Sequence, residues 1–193
     1  MGKENRQKLF QVAESQQGYF TAQQAEGCGY SRSNFHRFLK SGDWVKEIRG
    51  IYRLAQYPIQ DRPELVLWTL WSRNKKGEPQ GVWSYETALD IHELTDVMPA
   101  KMHMTVPREF RKNQKIPKVL SLHFDRLLPE DIEIRQGYFV TTPMRSLIDV
   151  ANGESISIDQ LQLGIRQALE RGLITKKEIE RNSLAKILLR YVP

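Results

Sequence analysis

The sequence predicts an α+β chain: an N-terminal winged helix-turn-helix, then a C-terminal α+β domain in which helices pack on a small mixed sheet. Three observations predict it. Residues 18–54, GYFTAQQAEGCGYSRSNFHRFLKSGDWVKEIRGIYRL, read as helix, turn, helix and hairpin. Their apolar spacing is helical before Asp43 and alternating after it. From residue 63 onward, short alternating stretches interleave with amphipathic ones opened by proline, serine or threonine.

Lys3 to Gln16 is predicted as the first helix, with Leu9, Val12 and Ala13 on its apolar side and Phe10 beside them. Tyr19-Phe20 reads as an apolar lead-in, and Thr21 followed by Gln24 is a capping-box signature. The helix so opened is expected to end at Gly27, where a left-handed residue is easily placed, with Gly29 keeping the turn permissive. Ser31 is the expected cap of a second helix that runs to about Lys40 and stops at Gly42.

That second helix carries the functional expectation. Phe35, Phe38 and Leu39 share one face at helical spacing, so that face must be buried. Ser33, His36, Arg37 and Lys40 lie opposite, with Arg32 and Asn34 on the flanks. A basic, hydrogen-bonding surface on a helix anchored from behind is what a major-groove reader needs. Arginine can bond a guanine edge bidentately and asparagine an adenine; Ser33 and Lys40 suit phosphates, and His36 a phosphate or a base edge. Trp44–Ile48 and Ile51–Leu54 then flank an Arg49-Gly50 corner, a hairpin with Arg49 at its tip, beside a phosphate or in a minor groove. A helix pair whose polar face is merely solvated is the competing reading. Capping box, basic helix and basic-tipped hairpin together favour DNA.

Composition agrees with an anionic partner. The chain has 193 residues, net charge +6 and a pI of about 9.4. Cations concentrate between Ser31 and Leu54, and again in Lys101, Arg108, Arg111, Lys112, Lys115 and Lys118. That second block is a candidate basic surface, for DNA backbone or an acidic partner. Cys28 is the only cysteine, which excludes an intrachain disulfide and a cysteine-based zinc site. The start MGKENRQKLF lacks a signal-peptide core, Arg6 breaks the myristoylation pattern, and no apolar run approaches membrane-spanning length. A reducing cytoplasm is therefore expected, with no membrane association.

Two domains are expected, residues 1–57 and 63–193, joined by the Ala55–Arg62 segment with Pro58 in it. Pro63 opens a helix to about Arg73, and Trp83 to Leu94 reads as an N-capped helix. Met102, Met104 and Val106 alternate with Lys101, His103 and Thr105 as a half-buried strand. The loop 107–118 lacks evident apolar anchors and is expected to be mobile. Val119–Phe124, Ile132–Ile134 and Tyr138–Thr141 are further strands. Thr142-Pro143 starts a helix on whose surface Arg145 and Asp149 pair; Ser157 caps the next, stopped by Gly172; Thr175 and Glu178 box the last.

Catalytic chemistry finds no support. His92, His103 and His123 fall in different elements without metal-ligand spacing, so ordinary hydrogen-bonded histidines are expected and no metal. Asp125, Glu130, Asp131 and Glu133 cluster in sequence but read as a surface loop rather than a nuclease site. No nucleophile elbow or phosphate-cradling glycine loop occurs, so no cofactor and no enzyme activity are expected.

The order and spacing of the 18–54 stretch, SYETALDIHELTDVMPAKMHMTVPREFR, VTTPMRSLIDVA and IRQALERGLIT resemble AbiEi-type antitoxins, the transcriptional regulators of type IV toxin-antitoxin modules. The resemblance covers roughly Gly18 to Thr175. It implies a winged helix that binds inverted repeats in double-stranded DNA upstream of its own operon, and so represses it. It also implies a C-terminal antitoxin domain that counteracts a nucleotidyltransferase-like toxin, direct contact with that toxin being left open. Carried over, recognition falls on Ser33, Asn34, His36 and Arg37, and the wing contact on Arg49. The alternative is a winged-helix regulator whose C-terminal domain binds a protein partner or a ligand.

Overall fold

The structure, a computed structural model, describes residues 2–192. The chain divides into two compact units, residues 1–80 with 135–138, and residues 81–134 with 139–193.

In the first unit, α1 (Lys3–Glu14) is followed by β1 (Tyr19–Thr21), α2 (Ala22–Gly27), a 3-10 turn (Arg32–Asn34), α3 (Phe35–Lys40), β2 (Trp44–Ile48), β3 (Ile51–Leu54) and α4 (Pro63–Trp71). The expected lead-in at Tyr19-Phe20 is a strand: it pairs antiparallel with β3, Phe20 opposite Tyr52, and makes the hairpin a three-stranded sheet in the order β1-β3-β2. The capping box is present, with Thr21 Oγ1 accepting from Gln24 N at 3.1 Å and Gln24 Oε1 from Thr21 N at 2.8 Å. The left-handed residue after α2 is Gly29 (φ 88°), two residues later than expected, since Cys28 still closes the helix with amide bonds back to it. A side chain at Gly29 would also meet Asn5 at 2.6 Å.

The second helix is shorter than the sequence suggests. Ser31 bonds the Ser33 hydroxyl at 2.8 Å instead of capping the helix, and residues 32–34 wind as a 3-10 turn before six α-helical residues. Leu9, Ala13, Phe20, Ala25, Tyr30, Phe35 and Trp44 form the core, with Phe38 and Leu39 packed against it. Around Trp44 the aromatics interlock: Phe38 stacks at 4.6 Å and Phe35 meets it edge-on at 5.1 Å. The helix at Pro63, expected to open the second domain, packs against β1 and β3 and clusters with the first unit; Leu65, Val66 and Leu70 are buried there.

The second unit contains β4 (Val82–Trp83), α5 (Tyr85–Ile91), β5 (Met102–Val106), β6 (Leu120–Phe124), β7 (Ile132–Arg135), β8 (Tyr138–Thr141), α6 (Pro143–Gly153), α7 (Ile158–Glu170), α8 (Lys176–Arg181) and a 3-10 segment Ala185–Arg190. Its sheet runs β6-β5-β4-β8-β7 and is mixed: β4 pairs antiparallel with β5 and parallel with β8, and β5 runs parallel to β6. Trp83 begins no helix, since the short strand β4 precedes α5, and the Ser84 hydroxyl is taken by Thr105 at 2.7 Å instead of capping. The expected half-buried strand is covered on both faces near its end, where Thr105 is as buried as Met104 and Val106. Loop 107–118 does carry an apolar anchor, Phe110, which is 5 % exposed. Leu147, Ile165, Ala168, Ile179 and Leu188 join α6, α7, α8 and the last 3-10 segment in one core.

Candidate nucleic-acid interface

The residues expected on the recognition surface are sorted by the local fold. Phe35 is buried and Phe38 and Leu39 half-buried, so their helix face is fixed from behind. Arg32, Ser33, His36, Arg37 and Lys40 are exposed on the other side, and Asn34 is half-buried. Arg32 does not stand free: its guanidinium bonds Glu26 at 2.9 Å, tying the turn to α2. The His36 ring bonds the Ser33 carbonyl at 2.7 Å through Nδ1. A carbonyl can only accept, so Nδ1 carries the hydrogen. Arg37 and Lys40 make no ion pair among the described residues.

The wing supplies one more cation. Gly50 holds φ at 79°, which lets Ile48 pair directly with Ile51 and leaves Arg49 exposed at the corner. Glu47 is neutralised by Arg53 at 2.8 Å, with both side chains mostly covered. Behind the corner, Arg73 donates to the Gly50 carbonyl at 3.4 Å and to the Leu70 carbonyl at 2.8 Å. Burial holds its guanidinium below the usual arginine range. Sequence reasoning ended a second-domain helix at this residue and missed it as a brace for the wing. The arginine following the apolar run of α4 was the only signal.

The second basic block is less uniform. Lys101, Arg108, Arg111, Lys115 and Lys118 are exposed and Lys112 is half-buried. Arg108 bonds Asp125 at 3.1 Å, and Arg111 donates to the carbonyls of Arg108 and Phe110 at 3.2 and 2.8 Å. Arg111 thus folds the loop on itself and Arg108 ties it to Asp125, while Lys101, Lys115 and Lys118 are exposed.

Charge is also gathered where the sequence reading expected a plain surface. Arg145 and Asp149, 13 % and 6 % exposed, are a buried pair at 2.7 Å rather than a surface one. Arg145 also holds Asp125 at 2.9 Å and Asp131 at 3.1 Å, so two acids of the expected surface loop converge on it. Burial raises the Asp149 carboxyl to about 6 against the pull of Arg145, and its Oδ2 has no hydrogen-bond partner among the described residues. Nearby in sequence to Asp125, His123 bonds His103 ring to ring at 3.0 Å, and the same His103 Nδ1 lies 3.0 Å from the buried Glu86. Tyr85, at φ 51°, stacks on His123 at 3.7 Å. Burial, and then His103, keep the His123 ring below the ordinary histidine range. His92 donates Nε2–H to the Thr141 carbonyl at 2.7 Å. Among the described residues, no three His, Cys, Asp or Glu side chains are grouped as metal ligands, and no helix is long and apolar enough to cross a membrane. Spacing could not reveal these clusters, because each joins residues from separate elements.

Helices α1 to α3 and a three-stranded antiparallel sheet give the first unit the fold of a winged helix-turn-helix module. Residues 7–55, which make up that module, match the family described as transcriptional regulator, AbiEi antitoxin. The RV2827C protein from Mycobacterium tuberculosis, known from a crystal structure, is similar in fold: TM-score 0.53 at 14 % identity, over 98 % of this chain and 72 % of that one. No curated protein matches the sequence.

Proposed function

We propose that the chain is a DNA-binding transcriptional autorepressor and the antitoxin of a type IV toxin-antitoxin module. The observation that carries this reading is the outward face of residues 33–40, where His36, Arg37 and Lys40 are exposed above a buried Phe35 anchor. Arg37 and His36 read base edges in the major groove, Ser33 and Lys40 hold phosphates, and Arg49 reaches the backbone or the minor groove from the wing. Arg32 and Asn34 position the turn as much as they contact DNA, since one is paired with Glu26 and the other is half-buried. Lys101, Lys115 and Lys118 offer a second contact to DNA backbone or to an acidic partner. The family match over residues 7–55 supports a regulator rather than an enzyme. The operator is double-stranded and consists of inverted repeats, the site of action is the cytoplasm, and the second unit counteracts a nucleotidyltransferase-like toxin.

The test separates the two roles. A reporter driven by the DNA upstream of this chain's own gene is repressed by the wild type and released by Arg37→Ala, while the same variant still rescues growth against the neighbouring toxin. Repression that survives Arg37→Ala, Lys40→Ala and Arg49→Ala combined would overturn the DNA-binding assignment. Rescue that disappears with repression would overturn the separation of roles. Co-purification with the toxin decides between direct contact and indirect antagonism.

A further inference from the structure

The first unit contains a cavity of about 490 Å³ that the DNA-binding surface does not use. That volume lies within the range of small-molecule sites, about 300–1,000 Å³. Its walls are aromatic and aliphatic: Leu9 and Phe10 from α1, Phe38 from α3, Trp44 at the start of β2, and Tyr57 after β3. Phe10 stands 46 % exposed at this cavity. Two polar features enter the apolar space. Tyr30 is 96 % buried as a residue (4 % exposed), lines the cavity, and has no hydrogen-bond partner for its hydroxyl among the described residues. The hydroxyl itself is not sealed from solvent, so a molecule in the cavity can reach it. Arg6 lines the same cavity, and of the charged side chains acting on the Tyr30 phenol it is the strongest, ahead of Asp43.

We infer that this cavity is a binding site for a small planar aromatic carboxylate, with its ring against the aromatic wall of Phe38, Trp44 and Tyr57 and its carboxylate on Arg6 and the Tyr30 hydroxyl. Ring stacking uses the aromatic walls, and the carboxylate gains one charge-assisted bond and one hydroxyl donor. Asp43, at the same cavity and already accepting from Ser41 at 2.6 Å, selects against a second anionic group and suits a ring N–H. Phe38 and Trp44 belong to the core that sets the recognition helix, so an occupant touches α3 directly. The ligand thereby changes operator affinity, a consequence that rests on the DNA-binding assignment, whereas the site itself does not.

Calorimetric titration of the full chain with indole-3-acetate, and separately with neutral indole-3-acetamide, tests the site. The acetate is expected to bind one per chain with a Kd below about 1 mM and the amide roughly tenfold more weakly. Arg6→Gln and Tyr30→Phe are each expected to weaken the acetate by about five- to tenfold while the thermal midpoint stays within a few degrees. Absence of binding, equal binding of acetate and amide, or unchanged binding by both variants would overturn the proposal. So would a dimer in sedimentation that Phe10→Lys dissociates, because the cavity would then seat a second copy. Binding without any effect of the ligand on DNA affinity would leave the site standing and remove its regulatory consequence.

Discussion

Arg37 and Lys40 lie three residues apart on the exposed side of α3, yet different physics governs them. An arginine that bonds a guanine bidentately contributes to one base pair, so Arg37→Ala is expected to weaken operator binding by about 1–3 kcal/mol and relax specificity at one position. A lysine on a phosphate acts through counterion release. Lys40→Ala is expected to weaken specific and random duplexes alike and to reduce the salt slope by about one. Fluorescence anisotropy across a salt series measures both. Asp149 belongs to the same scale. Its carboxyl is raised from 3.8 to about 6, so the folded state holds the proton more tightly than the unfolded chain. The stability it adds is complete below about pH 4 and lost as pH rises through 6. The unfolding free energy of the wild type minus that of Asp149→Asn should fall by about 2–3 kcal/mol between pH 4 and 7. Urea titrations at both pH values measure it, and a constant difference would contradict the burial argument.

At the scale of elements, α3 is too short to stand alone, since six residues make few helical hydrogen bonds. Its position comes from Phe35, wedged against Trp44 and Tyr52 at 5.1 and 5.5 Å. Phe35→Ala is expected to destabilise the first unit by about 3–5 kcal/mol, read from denaturant unfolding, and to abolish DNA binding through disorder of α3. The wing has a separate brace. Arg73→Met keeps the aliphatic packing but removes the donor to the Gly50 carbonyl. Faster amide exchange at 48–51 and a loss of DNA affinity of about 0.5–1.5 kcal/mol are expected, with little change in unfolding midpoint. These elements also show what could be read from the chain. Thr21 with Gln24, Arg49-Gly50 and Thr175 with Glu178 were legible because caps and tight turns bond within a few residues. Tyr19–Thr21 was not legible as a strand, because three residues have no measurable alternation and pair with partners thirty or more positions away. Ser31 misled because its hydroxyl had a nearer neighbour in Ser33.

For the whole molecule, local periodicity identified the class of each half but not the joins. The parallel pairing of β5 with β6 and of β4 with β8 is set by long connections, which leave no short-range mark. The same holds for Arg145, whose helix position was plain while its partners Asp125 and Asp131 arrive from before β7. A charged residue on a helix usually faces water, and only the tertiary fold shows that this one does not. The two faces of α3 were legible for the opposite reason: a helix face is defined by its own residues, and Phe35 and Arg37 had to point apart. Similarity in fold to the RV2827C protein extends over nearly the whole chain, whereas the family match is confined to residues 7–55. Sequence therefore marks the winged helix most strongly, and the second unit is defined by its packing.

The central claim is that residues 33–40 read a specific duplex. Anisotropy titration of the wild type and Arg37→Ala, on the promoter of this chain's own gene and on a scrambled duplex at matched salt, tests it most directly. The wild type is expected to prefer the promoter by at least a hundredfold, and Arg37→Ala to lose about ten- to a hundredfold on the promoter alone. Equal binding of both duplexes, or a promoter affinity unmoved by Arg37→Ala, would contradict it.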